Sequence, residues 1–445
     1  MDADLITDRP GGAPAPAGGP SWTTPGARPA TPRPQRAPQW LPRRERAGMR
    51  LFGVPVWQVV ALEALLGAAA VAAGPRDRRV LAVVAGVAAA GAVAVLARRA
   101  HRPLLAWVPV LLRRRARRRP SRTVPAGDPR LAPLQEVLPD LSVEGVALRA
   151  GQRLAVCFDG TGWSAALLVH RDGDLLPRSA TAPRLPAAVL AQVLQVDDVP
   201  LASVQVLVHT VPAPDGRLPE DCPAVHSYRQ LGGPLVPAVR ETFVVLRIDA
   251  RAARDAIEAR GGGAEGAQRA LKRCALRLLQ LLEAEGVPAR PLAETSWLAA
   301  LLDVAGLPPT DLPADLPADL PAGPHGGRWT LEDRHRWQLG DLSHVTWWVR
   351  AFPDTASPLQ TFVGVAGDVR AASTQVSLAL YPGPAAGTVR CRVLLRTAGR
   401  TPEDAEEAAA ELHDRATALG IALDRLDGEQ GPGYLSTLPL GGGTL

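Results

Sequence analysis

Two long apolar runs lie close together near the start of this chain, and short alternating or helical patterns fill the rest. Val54–Ala73 is almost entirely Val, Ala, Leu and Gly, interrupted by Gln58 and Glu63, while Val80–Ala97 carries no charge. At a helical rise of ~1.5 Å per residue each run covers ~27–30 Å, the thickness of a bilayer's hydrocarbon core. Only Gly74–Arg79 joins them, so the runs predict a transmembrane hairpin over 51–98 (spans 54–73 and 80–97) whose flanks emerge on one side. Ala82, Gly86, Ala90 and Ala94 recur every fourth residue, a smooth face for close helix approach. Glu63 is costly if it faces lipid. Glu63, Ala82, Gly86 and Ala90 are therefore the candidate contacts with a partner helix.

Beyond residue 130 the patterns shorten. Alternation or β-branched enrichment predicts strands at Val143–Arg149, Arg153–Phe158, Trp163–His170, Val204–Val211 and Glu241–Ile248. Helical spacing predicts Pro186–Gln195, Ala252–Arg260, Glu265–Glu285 and Glu294–Ala305, with Leu271, Ala275, Leu278, Leu279 and Leu282 facing a sheet. Asp-Leu-Pro-Ala then repeats at Asp311, Asp315 and Asp319, and proline at every fourth residue makes 307–327 an extended linker. Strands follow at His344–Phe352, Ser373–Tyr381 and Val389–Thr397. A helix over Pro402–Leu419 has Thr401 as N-cap, and Ile421–Leu426 closes as a strand. Glu241–Leu292 and Val389–Leu426 share one order of strand, helix, glycine and short strand, hinged at Gly286-Val287 and Gly420-Ile421. The expected fold class is α/β with mixed sheets. Its two parts, 130–306 and 328–445, stand behind the hairpin and a disordered Pro/Arg-rich tail, 1–50.

Charge sets the orientation. Residues 1–122 hold 21 arginines and six acids, a net of +15, whereas the remainder has 29 basic and 38 acidic residues, a net of −9. Arginines at both outer flanks outnumber Arg76, Arg78 and Arg79 of the connecting loop, so both termini are predicted cytoplasmic in a multi-pass inner-membrane protein. The basic juxtamembrane segment, 99–122, contains Trp107, Arg113, Arg114, Arg115, Arg117, Arg118 and Arg119, which are suited to the interface and to anionic lipid headgroups. The acidic remainder shows no aromatic–basic pattern, which argues against nucleic acid. Cys157, Cys222, Cys274 and Cys391 are scattered without C-x-x-C spacing, as in reduced cytoplasmic domains. The bias of 44 prolines and 42 glycines, with Lys272 the single lysine, points to a GC-rich coding sequence.

Catalytic signatures are weak. Asp159-Gly160-Thr161-Gly162 lies between two strand patterns, where Asp-Gly reads as a hairpin turn rather than a phosphate loop. Asp172-Gly173-Asp174 has the form of a divalent-cation pair, and Asp197-Asp198 is a second short acidic pair. Neither has further ligands at useful spacing. None of the histidines forms H-x-x-x-H, and no G-x-S-x-G occurs. His226-Ser227-Tyr228-Arg229 reads as a polar loop contact. Trp329, Trp337, Trp347 and Trp348 suit either core packing or a docking face. No catalytic, cofactor or metal site is expected.

The order of these features resembles the EccE component of actinobacterial type VII (ESX) secretion systems. The resemblance rests on the hairpin, Arg113–Arg119, the block Leu154–Val169, His226-Ser-Tyr-Arg-Gln, the strand Arg240–Asp249 and Trp347-Trp348. It implies a non-catalytic structural subunit beside EccB-, EccC- and EccD-like proteins, with a cytoplasmic part similar to a degenerate glycosyltransferase fold. The alternative is a membrane-tethered glycosyltransferase-like enzyme at the inner leaflet, using Asp172 or Asp197.

Overall fold

In the computed structural model, residues 128–148, 151–169, 185–194, 198–214, 218, 221–230, 236–307, 324–325, 328–352, 358–385 and 387–443 are described. Trp40–Pro42 and scattered positions between 50 and 103 are described as well. β1 is Trp40–Pro42. β2 (Arg50–Leu51) pairs with β3 (Val54–Pro55) at the start of the first apolar run, and β4 (Arg98–Arg99) pairs with β5 (Arg102–Pro103) just after the second. Val54 is thus extended, as a residue preceding proline tends to be. Val60, Glu63, Gly67, Gly86, Ala89 and Ala90 are helical and exposed, and a methyl group added at Gly67 or Gly86 would meet open space. Ala82, Trp107 and Arg113–Arg119 lie outside the described residues. Among those described, no helix is long and apolar enough to cross a membrane.

The later elements follow in two similar series. The first runs α1 (Ala132–Gln135), β6 (Ser142–Ala147), β7 (Arg153–Phe158), β8 (Gly162–Val169), α2 (Ala187–Leu194), β9 (Ser203–Ala213), α3 (Pro223–Gln230), β10 (Val236–Asp249), α4 (Arg254–Glu258), α5 (Gly263–Ala284), β11 (Ala289–Pro291) and α6 (Glu294–Ala305). The second runs β12 (Thr330–Glu332), β13 (Trp337–Leu339), β14 (Leu342–Ala351), α7 (Pro358–Gly367), β15 (Ser373–Pro382), β16 (Val389–Gly399), α8 (Pro402–Ala418), β17 (Ala422–Arg425) and α9 (Gln430–Leu435).

Apart from the β2–β3 and β4–β5 pairs, the described strands form one 13-stranded sheet in the order β12-β13-β14-β16-β15-β9-β10-β8-β7-β6, with β1 on β16, β11 on β8 and β17 on β14. Every pairing is antiparallel except that of β1 with β16. The expected mixed sheets are thus a single, almost wholly antiparallel one, to which segments on both sides of 307–327 contribute. Each half is a βαββαβ unit (β8-α2-β9-β10-α5-β11 and β14-α7-β15-β16-α8-β17) preceded by a hairpin and followed by a helix. The halves meet at β9 and β15.

Matching pairing registers shows how deep the likeness runs. Gly162–Val169 corresponds to Leu342–Val349, and Ser203–Pro212 to Ser373–Pro382, with Ser203/Ser373, Gln205/Gln375, Val206/Val376 and Pro212/Pro382 identical. Gly286 and Gly420 are equivalent and both left-handed, at φ 69° and 72°. In each case the next amide closes the helix, Val287 N–H onto Leu282 O at 2.8 Å and Ile421 N–H onto Ala416 O at 2.9 Å.

Strand alternation sorts the faces. On β9, Val204, Val206 and Val208 enter the core beneath α2, α5, α7 and α8, while Leu207 enters the second core with Trp297, Tyr434 and Leu438. Leu271, Ala275, Leu278 and Leu282 of α5 are buried as expected, and Leu279 packs at the margin. The second face also carries Ser203, Gln205, His209, Arg247, Gln375, Arg392 and Arg396, all buried.

Candidate functional site

The buried polar face begins with a row crossing five strands. Register places Glu241 beside His209, His209 beside Gln375, Gln375 beside Arg396 and Arg396 beside Thr346. Arg396 is fully buried; its Nε donates to Gln375 Oε1 at 2.8 Å, and its Nη2 donates to Val304 O. Its guanidinium lies 4.5 Å from the centre of the Tyr434 ring. Gln375 Nε2 contacts His209 Nδ1 at 2.9 Å and Ser373 Oγ at 3.0 Å, and His209 Nε2 lies 3.1 Å from Asp303 Oδ2.

Donor chemistry fixes the direction of this chain. A guanidinium only donates, so Gln375 must present its oxygen to Arg396 and its NH2 to His209. His209 Nδ1 then accepts, and Nε2–H donates to Asp303. Each dipole points from the Arg396 cation toward the Asp303 carboxylate, a relay that partly compensates a buried charge. Burial still pushes the Arg396 guanidinium down to about 10. His344, fully buried against Tyr434 with ring centres 4.9 Å apart, is held well below the usual imidazole range by burial and by Arg396, so it is neutral at pH 7.

Where the row meets solvent, Glu241 titrates in the opposite sense from an ordinary ion-paired acid. Burial raises its pKa; nearby His209 offsets part of this, Asp303 adds to it, and Arg290 offsets a further part. A raised carboxyl pKa favours the protonated folded chain, so this group's contribution is full below the ordinary carboxylate range and is lost as pH rises through the folded value. We expect Glu241→Gln to flatten the loss of stability between pH 4 and pH 7, read as urea midpoints at the two pH values. A pH dependence identical to that of the unmodified chain would contradict the burial argument.

The same face grips the C-terminal segment by its backbone. Ser203 Oγ donates to Gly441 O at 2.6 Å, Gly441 N–H donates to Gln205 Oε1 at 2.9 Å, and Gln205 Nε2 donates to Ser436 O at 3.1 Å. Tyr381 OH donates to Gly442 O and Gly443 O at 3.1 Å each, and Arg392 donates to the same two carbonyls. Gly441, Gly442 and Gly443 all have positive φ, and a Cβ on Gly441 would stand 2.5 Å from Arg247 Cβ. Glycine is required there by both backbone and space. The equivalent Ser-x-Gln pairs thus do related work: Ser203 and Gln205 of the first half hold the strap that ends the second. Gln375, backed by Ser373, in the second half holds α6 of the first through His209 and Asp303.

Residues singled out from the sequence take other places. Asp159 forms the expected β7–β8 turn, accepting from Thr161 N–H and Gly162 N–H at 3.0 Å each and from Arg247 Nη1 at 2.6 Å. Burial opposes its charge, but Arg247 and Thr161 outweigh that and hold its carboxyl below the usual range. Asp172, Asp174 and Asp197 lie outside the described residues. Asp198 is ion-paired with Arg260 and stands 3.5 Å from Arg273. His226 to Arg229 belong to the helix α3 rather than a loop, with His226 Nε2 2.9 Å from Gln230 Nε2, because Pro223 can open a helix at its first position. Trp337 is buried and stacked on Tyr434 at 5.7 Å, and Trp347 stacks on His413 at 5.1 Å, so these two serve packing. Cys157, Cys274 and Cys391 are buried and form no disulfide among the described residues, and the Cys391 thiol is pushed by burial to about 12.

The relay and strap were not legible as a site beforehand. His209, Asp303, Gln375, Arg396, Tyr434 and the terminal glycines are dispersed, and their one local signal is Ser-x-Gln-Val at 203–206 and again at 373–376. Chemically the arrangement locks two halves together: both ring nitrogens of the buried His209 are engaged.

No curated protein matches the chain. Residues 236–349, from the start of β10 into β14, match the family described as "Putative type VII ESX secretion system translocon, EccE". That stretch includes Glu241, Asp303 and His344 and joins the two halves. The resemblance drawn from the sequence is therefore matched over residues 236–349, where the chain is similar to the EccE family of type VII secretion translocons.

Proposed function

We propose that this chain is a non-catalytic structural subunit of an inner-membrane type VII secretion complex, anchored by the 54–73 and 80–97 hairpin and working as a rigid cytoplasmic scaffold. The observation that carries this reading is the family match over 236–349. The locked architecture supports it, since the buried polar groups bind the chain's own segments. The pairing of Trp40–Pro42 with Val389–Cys391 supports setting the chain before the hairpin and the α/β region on the same side of the membrane. EccB-, EccC- and EccD-like subunits are the proposed partners, with Glu63, Ala82, Gly86 and Ala90 toward a partner helix and Arg113–Arg119 with Trp107 toward anionic lipid.

Purification of a tagged copy in mild detergent tests the proposal. We expect co-elution of an ATPase-type subunit and other membrane subunits. A tagged protein that inserts in the membrane yet elutes alone would overturn the scaffold role.

A further inference from the structure

The two long helices that occupy equivalent places in the halves have opposite charge. α5 and α8 both lie on the sheet face bearing the larger core, α5 against β8 and β10, α8 against β14 and β16. α2 packs beside α5 and α7 beside α8, so the two charged helices flank the layer. Between Gln268 and Gln280, α5 holds Arg269, Lys272, Arg273 and Arg277 and no acid. Over Pro402–Ala418, α8 holds Glu403, Asp404, Glu406, Glu407, Glu411 and Asp414 against a single base, Arg415.

Their outward faces carry this difference. Arg269, Arg273 and Arg277 are exposed at helical spacing, as are Glu403, Glu407 and Asp414. Internal partners neutralise only part of each stripe. Glu265 pairs with Arg269 and Asp198 with Arg273, while Arg415 and Arg370 lie near Glu411 and Glu407. Arg277, Glu403 and Asp414 make no ion pair among the described residues. Apolar burial toward the sheet cannot account for the outward charges, because the helices bury Leu271, Leu278 and Leu412 on their other sides.

We propose that this helix layer is a self-association surface on which a second copy of the chain sets its basic α5 against the acidic α8, and reciprocally. A two-fold axis lying in the interface along the helices exchanges the two ends of the layer, so each stripe meets its opposite twice in an isologous contact. An in-plane axis across the helices would set like against like, so the charge pattern selects one geometry. The inference does not depend on other secretion subunits.

The purified full chain in detergent, followed by sedimentation, tests it. Association should weaken at least about tenfold between 50 and 500 mM NaCl, because exposed charge contacts are screened. Arg273→Glu with Arg277→Glu should abolish self-association, as should Glu407→Arg with Asp414→Arg. An equimolar mixture of the two variants should restore it, since the outward stripes of one are then both net acidic and those of the other both net basic. Salt-insensitive association of the unmodified chain, a strictly monomeric chain at low salt, or variants that fail to associate when mixed would each overturn the proposal. So would an α5 variant that keeps self-association and loses only binding to phosphatidylglycerol vesicles, which would assign the basic stripe to lipid.

Discussion

Replacing Arg396 with alanine should destabilise the α/β region by about 3–5 kcal/mol, the range for removing one member of a buried charged network. The truncation strands Gln375 Oε1 and Val304 O, removes the cation from the Tyr434 ring, and leaves a cavity. A fall in the urea midpoint at unchanged slope is the readout. The relay itself is tested by a double-mutant cycle with Arg396→Met and Asp303→Asn. If Gln375 and His209 transmit one charge to the other, the two changes should couple by at least about 0.5 kcal/mol. Strict additivity would mean that Arg396 and Asp303 are independent burials that happen to share neighbours.

The strap should be nearly as sensitive. Gly441→Val places a β-branched residue at φ 90° and drives its Cβ onto Arg247 Cβ, 2.5 Å away. Left-handed strain costs about 1–2 kcal/mol, and displacing the segment forfeits bonds from Ser203 and Gln205, so the total loss should be about 2–4 kcal/mol. Limited proteolysis should then cut within 436–443, where the unmodified chain resists. Gly286→Ala separates the two contributions: its φ is 69°, yet its Cβ would meet open space, and it should cost only about 1 kcal/mol. Equal losses at Gly441 and Gly286 would show that conformation alone, without close approach to Arg247, explains the glycine.

The lock also recasts the linker. Asp-Leu-Pro-Ala at Asp311, Asp315 and Asp319 marks a break in periodicity, and a break in periodicity suggests a domain boundary. Here β15 and β16 lie beside β9 and β10, so the chain leaves the sheet after α6 and returns to it. The family match crosses the same stretch. Strands on both sides of that stretch therefore belong to one joined sheet.

Much of the local structure was legible without coordinates. Arg153–Phe158 and Glu294–Ala305 are strand and helix at the bounds read from their patterns, because period-two and period-3.6 burial leave their marks on contiguous residues. Thr401 caps α8 through Asp404 N–H at 3.0 Å, and Asp159 makes a turn, because capping and turn chemistry act over three or four residues. The opposite charge of the N-terminal and later portions needed only counting. The echo around Gly286 and Gly420 was visible for the same reason, a helix stop being a local device.

Neighbourhood was not legible. Antiparallel pairing of β9 with β15 brings His209 to Gln375 across 166 positions of sequence, and pairing of β15 with β16 adds Arg396. Read alone, a buried Gln, His or Arg merely interrupts a strand's alternation, since nothing local says which polar group will face it. His226 to Arg229 and Pro358–Gly367 were missed as helices for a related cause, their apolar faces being too short to set a clear period. The sequence by itself determined the elements, their caps and turns, and the charge of each surface, all consequences of short-range chemistry. Only the tertiary structure decided that two βαββαβ halves share one sheet, that each half's Ser-x-Gln reaches across to the other's terminal segment, and that basic and acidic helices occupy matching places. Those facts are set by strand register, which exists only once distant segments have paired.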